Sequence, residues 1–562
     1  MSLNFKRHYP LILILVIVLV ILVIAMGSQR IIAYTTVSAS DNTSNGSTRS
    51  GENISNTIDL LDDSIVHSVQ ILISDEDYQN MITTYQQTGE KEYYKADVVI
   101  DGLLVEDVGI RLKGNSSLRT ALGGMGGMGG RGFWGNSDET EGDNVDGERT
   151  APEGFDPSNL PEDRNWPGRG VPGMPSDGEP LEGSGMPSDR QIPENLTEEQ
   201  LQELQNQMGN LTEEQIQEFQ EQMGNVPQGG FGGMGTTTDP SGEASIPLLI
   251  KFDEFTDGQS YQGLTQLSLR TYGSTYDAAI LQEPLTNYVF DLVGLPSADT
   301  AYTSFQLNDE TPKLYVLSEV IDEEYLAKNF TNADGILYKA ELGSSLTYID
   351  EDPSSYAESF SQETRENEAD MAPFIRFMAF LTESDDATFE NELDDYLDVD
   401  AFATYLAVNN LLVNTDSIIG MNNNFYLYYD DQAGRFTLLY WDGNESLGKM
   451  AGGSSSATYD LYMTSSRGMR SPGGGTNILL TRFIATDSFK ALYEEKLQLV
   501  YEKAYLSGAM VDFVNAQSAV FHAFNGEDSL VSNDSYDQAV ASVLSFIEQR
   551  MAYLQTTPLL GD

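Results

Sequence analysis

Asp416 sits between an apolar helical stretch and a polar turn, Asn424 follows eight positions later, and Asp442 comes directly after the strand-like run Phe436 to Tyr440. Phosphoryl transfer needs a carboxylate that orients or deprotonates a hydroxyl, together with a carboxylate and an amide oxygen that hold a divalent cation on phosphates. These three residues offer that set. Each also has a plainer reading: Asp416 as a helix-end cap, Asn424 as a turn residue, and Asp442 with Gly443 as a hairpin turn. The chemistry further requires a cation for the phosphates. Lys251 lies in a strand that precedes a helix bearing Glu283, a Lys and Glu arrangement suited to positioning phosphates. Lys113, beside Gly114, Asn115 and Ser116, is the competitor. The Gly114 to Ser117 turn can itself cradle phosphate through backbone amides, or be a polar hairpin tip.

Three clusters carry these residues: VGIRLKGNSS over Val108 to Ser117, LLVNTDSIIGMNNNFYLY over Leu411 to Tyr428, and LYWDGNESLG over Leu439 to Gly448. With LSEVID from Leu317 and GILYK from Gly335 between them, their order resembles the CotH (spore coat protein H) kinase family across about residues 65–450, apart from an insertion. The resemblance implies an atypical protein-kinase-like bilobal fold, ATP with Mg2+ or Mn2+ as cofactors, and transfer of the gamma-phosphate to a protein hydroxyl. It implies Asp416 as the catalytic carboxylate and Asn424 and Asp442 as metal ligands. Base, amide, strand and metal carboxylate is also the order of an ordinary kinase catalytic segment, at wider spacing here. Asn444 stands where many relatives carry Asp, so it is read as an auxiliary ligand. Glu319 to Ile321 would connect the two lobes. The alternative is a surface scaffold or adhesion protein that keeps the fold without catalysis; retention of all three residues favours catalysis.

The elements that must position these groups are legible in outline. Ser64 to Ile73 and Tyr94 to Ile100 alternate as strands do, and Asp101-Gly102 is a hairpin signal. Further strands are predicted at Ile246 to Phe252, Leu264 to Leu269, Tyr302 to Leu307 and Lys313 to Val320, with a helix over Ala278 to Leu292 stopped by Gly294. Met371 to Leu381, Phe402 to Val413 and much of 484–556 read as helical. Strands first and helices later give an α+β protein. Its sheet-rich lobe would comprise residues 58–120 and 245–345, and its helix-rich lobe residues 346–562, with the catalytic segment at 405–450.

Composition narrows the chemistry further. The chain contains no Cys and three His, so thiolate nucleophiles, Cys-based zinc and His-dependent triads are poor candidates. A net charge of -57, from 87 acidic and 30 basic residues, disfavours nucleic acid as a partner. Residues 121–244 turn abruptly to Gly, Met, Pro and acidic types, the composition of a disordered insertion. Within it, NLTEEQ occurs at Asn195 and again at Asn210, each copy with capping-box spacing. Leu11 to Met26 is an uninterrupted apolar run behind Lys6 and Arg7. It reads as a signal anchor or transmembrane segment over 1–33, or as a signal peptide cleaved near Val37-Ser38-Ala39. Residues 34–57 would be a flexible stalk. The expected setting is a single-pass protein of the cell membrane whose catalytic domain faces secreted or surface protein substrates outside the cytoplasm.

Overall fold

The computed structural model describes residues 53–114, 118, 122, 245–272, 276–341, 344–365, 368, 370–462, 477–526 and 530–561. The predicted anchor and most of the stalk and insertion lie outside these residues. So do Asn115 and Ser116 of the predicted phosphate turn. Among the described residues no helix is long and apolar enough to cross a membrane.

The first half is built around a closed barrel. After a short β1 (Asn53–Ile54) come β2 (His67–Leu72), α1 (Asp75–Thr88), β3 (Tyr94–Ile100) and β4 (Leu103–Leu112). Past the insertion follow β5 (Leu248–Lys251), β6 (Ser260–Tyr261), β7 (Gln266–Arg270), α2 (Gln282–Leu292), β8 (Thr300–Leu307) and β9 (Lys313–Ser318). The barrel runs β2-β3-β4-β5-β7-β9-β8 and closes by parallel pairing of β8 with β2. Alternation explains it: Val69, Ile71, Val98, Ile100, Val105, Ile110, Ile250, Leu267 and Leu317 all point into one apolar core. Asp101 and Gly102, at φ 48° and 81°, make the β3–β4 turn, as a two-residue turn of this kind requires. Leu112 pairs with Leu248, so the insertion leaves and re-enters the barrel between hydrogen-bonded neighbours.

The second half carries its own sheet. Its elements are α3 (Glu323–Asn329), β10 (Ile336–Ala340), β11 (Phe360–Gln362), α4 (Ala372–Glu383), α5 (Asp386–Tyr396), α6 (Val399–Leu411), β12 (Phe425–Asp430) and β13 (Arg435–Tyr440). They are followed by α7 (Ile478–Ala485), α8 (Asp487–Val500), a π-helical turn at Tyr501–Leu506, α9 (Ala509–Asn525) and α10 (Asn533–Leu554). The sheet order is β11-β10-β12-β13. α6 is buried on every side, from Phe402 through Leu411, as its uniformly apolar sequence demands. It forms the centre of the larger core with α2, α4, α8 and α10.

The α+β class holds. Two boundaries differ from expectation for identifiable reasons. β10 belongs to the second sheet because it pairs with β12, a contact across about 90 residues that local patterning does not encode. The helix expected from Ala278 starts only at Gln282. Asp277 Oδ1 accepts the amides of Ala279 and Ile280 at 2.9 and 3.3 Å, and Ile280 has φ 51°, a local turn that competes with helix.

Candidate active site

The β12–β13 hairpin decides which residues meet. Phe425 faces Tyr440 across the pair, so Asn424 and the Trp441-Asp442 step emerge together at one end of the sheet. α6 delivers Asp416 to the same place. The Asn424 side-chain nitrogen donates to both the backbone oxygen and Oδ2 of Asp416 at 2.9 Å, and Asn423 adds a longer bond of 3.4 Å to Oδ1. The Asp416 carboxyl is pushed from the ordinary 3.8 to about 7, mainly by burial, then by the charges of Asp442 and Glu445; the two amide bonds oppose this.

Asp442 in turn accepts from Arg270, at the end of β7. Arg270 also donates through Nε to Glu283 Oε2 at 2.8 Å, so one guanidinium joins two carboxylates from different elements. Burial alone would favour the neutral guanidine; Asp442 and Glu283 outweigh it and hold Arg270 charged more firmly than usual. Burial raises Glu283, with Arg270 pulling against it. The Lys113 ammonium lies 4.7 Å from the centre of the Trp441 ring, and the Arg270 guanidinium lies 5.2 Å from it. Burial and the charges of Arg270, Arg111 and Lys339 bring the Lys113 pKa well below its ordinary value, while Glu283 opposes them. Positive charges gathered this closely around Lys113 are an arrangement that a bound anion would relieve.

The backbone around these groups is held in uncommon conformations. Val413, Asn422, Asn424, Asp442 and Leu447 all have φ between 49° and 57°. Such angles cost non-glycine residues about 1 kcal/mol or more each, and they gather at functional sites where the surroundings enforce them. The Asp442-Gly443 step is more than a hairpin turn. A Cβ on Gly443 would run into the Tyr440 hydroxyl and come within 3.1 Å of Thr286 Cβ. Swinging Tyr440 aside would break the stacking of its ring on Phe290 at 4.2 Å. Beyond Gly443, Ser446 bonds Thr286 of α2 at 2.6 Å, and the Leu447 amide donates to Leu412 O at 2.8 Å. The two loops are thus tied to each other and to α2.

A family model described as CotH kinase protein matches residues 244–554, more than half of the chain. The chain belongs to the CotH kinase family. Among curated proteins it is similar to the inner spore coat protein H of Bacillus subtilis (strain 168), with 21% identity over 308 residues that cover 54% of this chain and 80% of the relative. The CotH match takes in Arg270, Glu283, Asp416, Asn424 and Asp442 and extends through the C-terminal helices; Lys113 falls outside it.

Asp416, Asn424, Asp442, Glu283 and Lys113 are therefore brought together, whereas Lys251 is not. Lys251 bonds Glu254 at 3.1 Å and lies 5.5 Å from the Tyr93 ring centre, while the cation on Glu283 is Arg270. Register is the reason: Lys251 pairs with Gln266, four residues from Arg270 on β7, or ~13 Å along the strand. Gly114 closes β4 in the left-handed region, at φ 91°. Asn444 is partly buried in the turn after Asp442. Sequence reading missed Arg270, Trp441 as the ring between two cations, and Glu445. For Arg270 a signal existed: a strand-end arginine behind Leu267 and Leu269.

Among the described residues, no group of three or more His, Cys, Asp or Glu is placed to hold a metal alone. Nucleotide-bound Mg2+ needs only one or two carboxylates, phosphates and water supplying the rest. The residues fit that lesser demand. Asp442 and Glu445 are near enough to Asp416 to raise its pKa, and the Asn424 amide nitrogen is engaged by Asp416, leaving its oxygen as an acceptor.

Proposed function

We propose that this protein transfers the gamma-phosphate of ATP to a protein hydroxyl. The observation that carries the reading is the Asp416 carboxyl at about 7, hydrogen-bonded by Asn424 and adjacent to Asp442. A base poised near neutral pH accepts a hydroxyl proton as readily as it returns one. Asp416 takes the proton of the acceptor hydroxyl at its carboxylate oxygen, and Asn424 fixes the orientation of that carboxylate. Arg270 holds Asp442 in place, and bound phosphates would favour the charged form of Lys113, which burial and its cationic neighbours disfavour. Mg2+ or Mn2+, held by Asp442 and the Asn424 amide oxygen with Asn444 as an auxiliary ligand, would neutralise phosphate charge. The barrel and the helical region with its sheet then act as the two lobes of a kinase-like fold, linked through Glu319 to Ile321. The name kinase borne by the family supports this reading. The apolar run Leu11 to Met26 supports membrane anchoring, and the coat-protein relative supports an acceptor among secreted or surface proteins.

Two variants test it. Asp442→Ala should lower metal-dependent ATP affinity together with turnover. Asp416→Ala should keep ATP and metal binding while transfer falls by roughly two to four orders of magnitude. If both bind and transfer like the parent, the assignment fails; a parent that binds no nucleotide would leave the scaffold reading in its place.

A further inference from the structure

The C-terminal half of α6 ends three residues before the candidate catalytic loop begins, and every one of its last four carbonyls is satisfied. Leu412 N donates to Val408 O at 3.0 Å, and Asn414 N to Asn409 O at 2.8 Å. Val413 N bonds Asn410 O at 3.1 Å, and Arg550 of α10 donates to the same oxygen at 3.0 Å. Leu411 O accepts from Arg550 Nε at 3.2 Å and from the Tyr505 hydroxyl at 2.8 Å. The guanidinium also reaches Ala457 O and Tyr459 O at 2.9 and 2.6 Å.

Arg550 is fully buried, and among the described residues it has no carboxylate in salt-bridge contact. A buried charge is costly, and replacing it with an apolar residue of similar size is often neutral or favourable for folding alone. The carbonyl end of α6 offsets part of that cost through the helix dipole. Apolar packing therefore does not account for the residue; its bonds to four main-chain carbonyls do. What lies next to it is a strained segment: Val413, a β-branched residue at φ 49°, is the left-handed position between α6 and Asp416. Tyr505 comes from the π-helical turn at Tyr501–Leu506, a local widening of the helix that functional sites often use.

We infer that Arg550, assisted by Tyr505, is the positioning clamp of the loop that carries Asp416 and Asn424. Its fork fixes the direction of the Asn410 and Leu411 carbonyls, and with them the strained turn at Val413. The C-terminal helices thereby take part in the chemistry without touching the cleft. This inference rests on the reading of Asp416 as the base, so its test has one arm that needs no activity.

The variants are Arg550→Met, Arg550→Lys, Tyr505→Phe and, as a stability-matched control, Leu554→Ala, which removes a fully buried side chain of α10 from the core. The first measurement is amide hydrogen exchange at Val413, Asn414, Met421 and Asn422 in the full chain. Arg550→Met should speed exchange there ~10-fold or more, about the worth of one net hydrogen bond to a charged donor, and Tyr505→Phe less. The second is turnover: kcat should fall ~10-fold or more while KM for ATP moves less than ~3-fold, because a displaced base costs the transfer step rather than uniform binding. Arg550→Lys, with one point charge for carbonyls lying in several directions, should resemble Arg550→Met. Leu554→Ala should leave both readouts near the parent.

Parent-like exchange in Arg550→Met, full recovery in Arg550→Lys, or equal effects in Leu554→Ala would overturn the clamp. Should Arg550→Met fail to fold, Tyr505→Phe decides by the same criteria. A parent with no transferase activity would sink the proposed function, and the exchange arm would still judge the clamp.

Discussion

Asp416→Asn separates what the site costs the fold from what it does. In the folded protein the carboxyl is raised from the ordinary 3.8 to about 7, so folding takes up a proton. The sign follows: the protonated form is the one the folded state favours, its stability is fully present below about pH 4, and it is lost as pH rises through about 7. The full linkage amounts to about 4 kcal/mol at pH 8 and under about 2 kcal/mol at pH 5. Asp416 is partly open to the cleft, so solvent screening is allowed for by halving these values, to about 2 and under about 1 kcal/mol. Asparagine has the same shape and stays neutral throughout. The variant should therefore be more stable than the parent by about 2 kcal/mol at pH 8, with a smaller gain at pH 5. Transfer at pH 8 should meanwhile drop by roughly two orders of magnitude or more. Urea unfolding at both pH values, with a chelator and without nucleotide, measures the first quantity, and a phosphate-transfer assay on the same preparations the second. No gain at pH 8, or an equal gain at both pH values, would refute the idea that an ionised Asp416 is held against its preference.

Arg270→Met leaves Glu283 and Asp442 facing each other without their shared cation, and should destabilise the protein by about 3–5 kcal/mol in urea unfolding. Arg270→Lys cannot hold two carboxylates on different elements, and calorimetric ATP affinity should fall even where the fold survives. Gly443→Ala forces Tyr440 off Phe290, so a loss of about 1–3 kcal/mol and weaker nucleotide binding are expected in thermal-shift titration. Lys251→Ala, remote from Glu283, should leave ATP affinity within about 2-fold of the parent, since it removes only a partly exposed pair. Replacing residues 123–243 by a short Gly/Ser turn should leave cooperative unfolding intact and shift stability by no more than about 2 kcal/mol, because Leu112 and Leu248 already pair.

Local chemistry was readable in the sequence wherever a single segment settles it. Asp101-Gly102 specified its turn, Leu267 to Leu269 its alternation, and Gly294 the end of α2. The order Asp416, Asn424, strand, Asp442 was readable as local motifs, and the structure explains their convergence, since a two-stranded hairpin with Phe425 opposite Tyr440 brings its two ends together. What was not readable depended on register between distant segments. Choosing Arg270 over Lys251 as the partner of Glu283 required knowing that β5 pairs with β7 so that Lys251 faces Gln266. No composition or periodicity carries that information, because a shift of pairing leaves each strand's own pattern unchanged.

The features around the site that no sequence pattern announces share a second property: each looks unfavourable until its surroundings are known. A buried Arg550 with no carboxylate in salt-bridge contact among the described residues, a valine at φ 49° and an aspartate raised to about 7 are choices that stability alone would reject. They adjoin one another in space because each cost is tolerated through the next. Arg550 holds the carbonyls that let Val413 turn, the turn presents Asp416 in a buried place beside Asp442, and that burial, with the charge of Asp442 behind it, is what makes Asp416 a base near neutral pH. Removing the clamp should then relax the strain and lessen both the burial and the repulsion of Asp416. The Asp416 carboxyl in Arg550→Met should titrate closer to the ordinary carboxylate range, moving the acidic limb of the transfer rate to lower pH. A pH profile of kcat for Arg550→Met with its acidic limb unmoved from that of the parent would break the chain between the buried arginine and the base.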